Sequence, residues 1–354
     1  MNWLKKLLDR IFIEGLSGMA HGLFATLIVG TIIQQIGILI GGQTGNMLCA
    51  VGKMAAALTG AGIGVGVAYR LKASSLVALS AATAGMVGGF ASKLLAGNVL
   101  GDGSVILTGP GEPLGAFIAA YIGIEIGQVL SGKTKIDILL TPIVTVGVGS
   151  AAGLLVGPAI SEFMNRIGGL INWGTEQQPL IMGIVVSVLM GMALTLPISS
   201  AALGVILNLN GLAAGAATVG CCCNMVGFAV ASFRENKVGG LLAQGIGTSM
   251  LQIPNIVRNP LIWIPSILSS AVLGPIATIV LKMTNNATGA GMGTAGLVGP
   301  IMTWQTMSVS EPATIVLMKI FAIQIILPAI VTAVIAEFMR KKKWIKQGDM
   351  KLEL

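Results

Sequence analysis

Long apolar segments separated by short polar ones dominate this sequence. A transmembrane helix needs about 20 mostly apolar residues, and roughly ten segments are candidates. Charged residues make up 10% of the chain, against roughly 25% in a soluble domain, and the mean hydropathy is +0.90. A water-soluble fold could not cover this apolar surface with so few charges. The sequence therefore predicts an all-α polytopic membrane protein with about ten transmembrane helices. The candidate segments are 22–40, 47–68, 76–96, 114–130, 138–160, 180–207, 212–231, 241–254, 261–281 and 313–338.

The basic residues lie near the two ends of the chain and in short loops. Lys5, Lys6 and Arg10 open the sequence, and a second basic cluster begins at Arg340. The positive-inside rule places such clusters in the cytoplasm, so we expect both termini to be cytoplasmic and the number of crossings to be even. We expect a basic cytoplasmic tail over residues 340–354. Nucleic acid is not an expected partner, because the basic residues are not interleaved with aromatic ones.

Residues 1–16 predict an interfacial amphipathic helix that leads into the first span. Apolar residues from Trp3 to Phe12 recur at helical spacing with charged residues between them, a pattern typical of helices that lie on a membrane surface. No small-residue cleavage site of a secretory signal is evident. A fraying basic tail is the alternative interpretation.

Two interrupted segments predict re-entrant hairpins. Pro197 breaks the segment 180–207, and a missing backbone donor inside a membrane must be compensated by neighbouring helices or face a wet cavity. The stretch 285–300 is too rich in glycine for an ordinary lipid-facing helix and predicts either a hairpin tip or a close-packed loop buried in protein.

The sequence also shows a weak internal duplication. A polar connecting segment, 161–179, separates a first transmembrane half at 17–160 from a second at 180–339. A Gly-Glu-Pro motif ending at Pro113 corresponds to a Ser-Glu-Pro motif ending at Pro312. Internal repeats are typical of secondary transporters, whose binding sites lie between the repeats at interrupted helices.

The two Glu-Pro motifs, at Glu112 and Glu311, are the strongest candidates for a binding site. A residue before proline avoids the helical region, and proline is favoured as the first helical residue. We therefore expect each glutamate at a helix N terminus, where unpaired N–H groups favour a carboxylate or a polar ligand. Carboxylate oxygens suit paired sugar hydroxyls, and charges among apolar segments mark functional paths. We expect both glutamates to line one polar cavity between the halves; helix capping is the alternative.

His21, Asn224 and Ser199 complete the expected substrate-binding residues. His21 is the single histidine, and it could donate to a substrate or relay a proton, or else join two helices by a hydrogen bond. Asn224 is one of several polar residues in apolar segments, and Ser199 follows the break at Pro197. Lys319 either snorkels to the interface or pairs with a glutamate.

Catalytic and metal-binding residues are not expected. The three consecutive cysteines at 221–223 lie among glycine and alanine and have no histidine at ligand spacing, so they predict small apolar packing. Glycines at 60, 62, 64 and 66 lack the strand–turn–helix context of a nucleotide loop and predict close helix packing. No catalytic nucleophile, metal or cofactor is predicted.

The motifs HGLFATL at 21–27, LTLPISSAAL at 194–203 and the run from 299 to the second Glu-Pro resemble the membrane IIC component of bacterial sugar phosphotransferase systems. The similarity covers nearly the whole chain and is strongest to the branch that includes the toxin-gene regulator PfoR. It implies a ten-helix homodimer in the bacterial plasma membrane, with two re-entrant hairpins and an elevator-like transport domain. It also implies a sugar held by a glutamate and a histidine and phosphorylated by a separate IIB protein. Glu112 or Glu311 takes the glutamate role, and His21 is the candidate histidine.

Two functions from different classes agree with these features. The first is a permease that moves a sugar or similar polar solute by alternating access. The second is a membrane-embedded solute sensor that regulates gene expression and retains the transporter fold. The short C-terminal tail offers little room for an output domain, which favours transport. An ion channel would need a selectivity filter or an acidic ring, and the sequence has neither pattern.

Overall fold

Helices form almost the whole molecule. The computed structural model describes residues 2–101 and 104–352, and about 81% of it is helical. Within these ranges, six helices are long and apolar enough to cross a membrane, and a pair of helices bent by 52° makes a seventh if it counts as one span. The chain is therefore an all-α polytopic membrane protein, as the sequence predicts. The six are Lys5–Ile40, Pro113–Leu130, Asp137–Thr175, Gly211–Ala231, Pro260–Val280 and Ala313–Lys341; the bent pair is Gly42–Ala57 and Thr59–Arg70.

The chain divides into two compact units between Phe163 and Met164, inside one long helix. The first unit contains helices α1–α8, the first part of α9, and two short antiparallel strands. Its elements are α1 Asn2–Asp9, α2 Leu16–Leu23, α3 Val29–Ile40, α4 Gly42–Ala57, α5 Thr59–Arg70, α6 Ser75–Gly89, α7 Ala91–Leu95, β1 Leu100–Gly101, β2 Ser104–Val105, α8 Pro113–Leu130 and α9 Asp137–Thr175.

The N-terminal segment and the first span form one continuous helix. α1, α2 and α3 are joined by π-helical turns at Arg10–Gly15 and Phe24–Ile28. The predicted amphipathic segment 1–16 is therefore continuous with the helix of the first span; Met1 lies outside the described residues. The polar segment 161–179 is likewise helical as far as Thr175, because α9 continues through it.

Glycines let the helices of the first unit pack closely, which confirms the packing interpretation of the alternating glycines. α5 lies between α2 and α6. A Cβ on Gly62 would meet the carbonyl oxygen of Gly22 in α2, and a Cβ on Gly64 would meet that of Ala81 in α6. Residues two apart point to opposite sides of a helix, so the alternation supplies a smooth surface to both neighbours.

The second unit is built around α12, whose residues are almost all buried. α10, α15 and α19 pack against it. Apolar side chains of α12, α15 and the helices after residue 307 share one core. The elements after α9 are α10 Pro179–Thr195, α11 Ser200–Ile206, α12 Gly211–Ala231, α13 Phe233–Leu242, α14 Ile253–Arg258, α15 Ile264–Pro275, α16 Ala287–Ala290, α17 Val298–Met307, α18 Ala313–Ile320 and α19 Leu327–Lys341.

The two interrupted segments meet inside the second unit. α10 ends at Thr195, and α11 begins after Ser199. The stretch 285–300 holds the single turn α16 and irregular backbone, and α16 packs against α11. The Ser200 hydroxyl donates to the Gly291 carbonyl at 2.7 Å. This hydrogen bond joins the two interrupted segments.

The candidate span 241–254 is not one helix. It consists of the end of α13, a π-helical turn at Ala243–Gly247, a 3-10 turn at Ser249–Gln252 and the start of α14. Thr248 between them is extended, and its hydroxyl accepts from the Met250 N–H. The glycines in the first part and Pro254 in the last part both disfavour an uninterrupted helix.

The C-terminal segment folds against the second unit as far as it is described, to Leu352. Side-chain amides bind its backbone: Asn236 Nδ2 and Gln252 Nε2 both donate to the Met350 carbonyl, at 2.8 and 3.0 Å. Asn255 Nδ2 donates to the Lys351 carbonyl at 2.9 Å. The side chains of residues 345, 350 and 352 are buried. The predicted tail 340–354 is therefore a packed segment up to residue 352; residues 353 and 354 lie outside the described residues.

Candidate functional site

Glu112 lies at the N terminus of α8, with Pro113 as the first helical residue. Its backbone is extended, with φ −98° and ψ 113°, as expected before a proline. Its N–H donates to the Gly89 carbonyl at 2.7 Å, which anchors the turn to the end of α6. The carboxylate makes no capping hydrogen bond to α8. The capping interpretation of Glu112 therefore lacks the hydrogen bond on which it depends.

The turn before Glu112 requires glycine and has a basic neighbour. Gly109 and Gly111 have φ of 77° and 73°, a region that side chains with a Cβ rarely adopt. A Cβ on Gly111 would also approach the Gly89 carbonyl. Lys93 Nζ donates to the carbonyl oxygen of Thr108 at 2.7 Å. A lysine and a glutamate thus flank one glycine-containing turn.

Glu311 lies between α17 and α18 and is paired with a lysine. Lys319 Nζ, near the end of α18, donates to both carboxylate oxygens at 2.8 and 2.7 Å. The two side chains are largely buried, with the lysine 20% and the glutamate 29% exposed. The sequence left open whether Lys319 extends to the membrane interface or pairs with a glutamate, and the structure shows that it pairs with Glu311. The pairing offsets two charges that would be costly alone among apolar residues.

Asn224 lies at the centre of the second unit and is fully hydrogen-bonded. Its Nδ2 donates to the Gly220 carbonyl at 3.1 Å and to Ser270 Oγ at 3.3 Å. Its Oδ1 accepts from Trp263 Nε1 at 2.9 Å and from Thr195 Oγ1 at 3.2 Å. An asparagine amide has two donors and two acceptor positions. All four hydrogen-bonding positions of the amide are therefore used. Three of the bonds link α12 to α10, to α15 and to the chain just before α15.

Ser199 and His21 occupy different kinds of position. Ser199 caps α11, and its hydroxyl accepts from the Ala202 N–H at 3.2 Å. His21 lies in α2, inside the helix Lys5–Ile40 rather than ahead of the first span, and it is half-buried. Glu112 and His21 belong to the first unit, whereas Glu311, Asn224 and Ser199 belong to the second.

The second unit contains a buried network of amide and hydroxyl side chains that the sequence analysis did not include among the site residues. Asn285 Nδ2 donates to Thr218 Oγ1 at 2.8 Å and to Thr303 Oγ1 at 3.0 Å. Gln324 Nε2 donates to the same Thr303 oxygen at 2.9 Å. The sequence signal was available, because asparagine and glutamine amides inside apolar segments require partners. The network anchors the glycine-rich stretch 285–300 to α12 and to the helix after α18.

The cysteines at 221–223 are completely buried in α12, consistent with the predicted packing role. The Cys221 thiol lies 3.4 Å from the Met190 carbonyl oxygen. Across the parts of the chain that the structure describes, histidine, cysteine and carboxylate side chains form no group of three that could hold a metal ion.

The six long apolar helices in the described part of the chain make it a multi-pass membrane protein. The family model described as "Phosphotransferase system, EIIC" matches residues 13–352. The chain therefore belongs to the EIIC family, the sugar-transport permeases of phosphotransferase systems, and the resemblance to the IIC component that its sequence motifs indicate is confirmed. Its family implies a sugar as substrate and the membrane as environment. A search of curated proteins gave no significant match.

Proposed function

We propose that this EIIC protein moves a sugar across the bacterial plasma membrane by alternating access. The observation that carries the proposal is the match to the EIIC family over residues 13–352. In this proposal the protein is a homodimer of the PfoR-like branch, and a separate IIB protein phosphorylates the sugar as it is released. Both termini face the cytoplasm.

The proposed architecture has ten transmembrane helices in two halves, 17–160 and 180–339, linked by 161–179. The breaks at Pro197 and at 285–300 form two re-entrant hairpins of an elevator-like transport domain. The contact between α11 and α16 and the hydrogen bond from Ser200 to Gly291 support hairpins whose ends meet. Short helices with irregular ends are the usual components of transporter binding sites.

We propose that at least one of Glu112 and Glu311 accepts hydrogen bonds from sugar hydroxyls. Glu112 has a carboxylate that does not cap its helix. Glu311 is held by Lys319, which leaves further acceptor positions on the carboxylate and offers an ammonium as a donor. His21 donates to the sugar. Asn224 and Ser199 act indirectly. Their hydrogen bonds fix the position of the backbone that surrounds the sugar.

Uptake and binding by purified protein in liposomes would test this proposal. We expect the parent to take up a sugar, and Glu112→Gln or Glu311→Gln to weaken binding at least tenfold, because each charge-assisted hydrogen bond contributes roughly 1.5–3 kcal/mol. Glu176→Gln, at an exposed turn after α9, is the matched control.

Thermal unfolding would separate lost binding from lost stability, particularly where Lys319 loses its partner. If both glutamine variants bind as the parent does, the carboxylates are not ligands. Binding without uptake would instead indicate a solute sensor.

A further inference from the structure

Two adjoining cavities lie at one end of the second unit, and none of the candidate site residues lines them. The first is a groove of about 730 Å³ between the ends of α12, α13 and α19. The second is a pocket of about 440 Å³ bordered by the C-terminal segment. Arg234 and Arg340 line both, so the groove and the pocket are continuous.

The groove is mainly apolar. Its walls include Val230, Phe233, Leu241, Val334 and Phe338. Phe233, Val334 and Phe338 are exposed in the isolated chain. An apolar groove open along the side of a membrane helix accommodates a hydrocarbon chain without exposing it to water.

The pocket is strongly basic. Besides the two arginines, Lys343 and Lys346 border it, and Lys341 borders the adjoining groove. The arginines are compensated, since Arg234 pairs with Glu337 at 3.0 Å and Arg340 with Glu235 at 2.9 Å. Over residues 2–101 and 104–352, the three lysines form no ion pair. Asp349, on the same turn as Lys346, offsets one further basic charge, and the groove and the pocket together keep a net positive charge that a bound anion would neutralise.

Aromatic and basic side chains around the pocket are those expected at the level of lipid headgroups. Trp344 is 52% exposed and stacks edge-on against Phe338, with ring centroids 6.4 Å apart. Lys342 Nζ lies 5.9 Å from the Phe338 ring centre. Tryptophan and snorkelling lysine at the end of an apolar helix typically mark the membrane–water interface.

The C-terminal segment is held in a conformation that completes the pocket. Asp349 accepts from the Lys346 N–H and from Asn259 Nδ2, both at 2.8 Å. The amides that bind the carbonyls of residues 350 and 351 fix the next part of the segment. Lys343 and Lys346 therefore extend from a turn tied at both ends, which lowers the entropic cost of ordering them around a ligand.

We propose that the groove and the pocket form a binding site for an anionic phospholipid. The headgroup phosphate binds the lysines at 343 and 346, and an acyl chain lies in the groove toward Val334. The apolar groove selects a lipid over a free phosphate ion, because a small anion leaves it empty. Basic pockets beside membrane helices bind anionic headgroups by this combination of charge and apolar contact.

Lipid retention and thermal unfolding of the purified full-length protein in a neutral detergent would test the site. Phosphatidylglycerol is compared with phosphatidylcholine of the same acyl chains and with inorganic phosphate. We expect phosphatidylglycerol to raise the unfolding temperature and to be retained in native mass spectra, with little effect of the other two. The double substitution Lys343→Gln with Lys346→Gln should weaken phosphatidylglycerol binding roughly tenfold or more.

The matched control is Lys133→Gln with Lys135→Gln, two lysines between α8 and α9 in the first unit. It should leave lipid binding unchanged. Equal stabilisation by inorganic phosphate would show an anion site without lipid selectivity, and equal effects of both lipids would show a non-selective groove. Either result, or equal losses in the two double variants, would overturn the proposal. None of these measurements depends on sugar transport.

Discussion

Arg340 and Glu235 illustrate how a single buried charge pair stabilises the second unit. Their side chains are 10% and 3% exposed, and Arg340 also donates to the Ala231 carbonyl at 3.0 Å. The pair joins the end of α19 to the start of α13. Both charges have lost most of their contact with solvent, so each depends on the other for compensation.

We predict that Glu235→Gln lowers the free energy of unfolding by about 3–5 kcal/mol, because it leaves the Arg340 guanidinium buried without a counter-charge. Glu337→Gln breaks the pair with Arg234, whose side chains are 65% and 42% exposed, and should cost only about 0–1 kcal/mol. Denaturant or thermal unfolding in detergent measures both. Equal losses in the two variants would contradict the role assigned to burial.

At the scale of elements, close approach of helix backbones determines how α12 packs. A Cβ on Gly220 would meet the backbone of Ser187 in α10. We predict that Gly220→Ala destabilises the protein by about 1–3 kcal/mol, since the helices must separate or shift. Gly147→Ala in α9 is the control: its Cβ would meet nothing, and alanine favours a helix over glycine. A stable Gly220→Ala variant would show that α10 and α12 can separate at little cost.

The C-terminal segment is an element without regular secondary structure, stabilised by amide side chains. We predict that a chain ending at Lys343 is less stable by about 2–4 kcal/mol than the parent. Asn236, Gln252 and Asn255 lose their carbonyl partners, and each net hydrogen bond contributes roughly 0.5–1.5 kcal/mol. A chain ending at Leu352 retains these bonds and is the control. Thermal unfolding compares them, and identical transitions would mean that the segment adds nothing.

At the scale of the whole molecule, the proposed topology requires both termini on the cytoplasmic side. We predict that a cysteine added after Leu354, in a Cys49→Ser background, is not labelled by an impermeant maleimide applied to intact cells. It should react after permeabilisation, which is the internal control. The native cysteines at 221–223 are buried and should not contribute. Labelling in intact cells would show that the C terminus is outside and would overturn the proposed orientation.

Local chemistry explains what could be predicted at this scale. Apolar length and scarce charge predicted a polytopic helical protein, because a membrane leaves helices as the simplest way to satisfy backbone hydrogen bonds. Proline rules placed Glu112 and Glu311 before helices, and small residues predicted close packing around Gly62. These inferences need only neighbouring residues, so they did not depend on the arrangement of distant segments.

The class of protein, its family and the helix starts beside the two Glu-Pro motifs could be inferred from the sequence. The folded structure was needed to learn that Lys319 pairs with Glu311, that Asn224 uses all its hydrogen bonds within the protein, and that the C-terminal segment is packed. The bond from Asn236 to Met350, for example, joins residues 114 positions apart. Which distant partner a polar group finds depends on how whole helices pack, and local spacing contains no information about that choice.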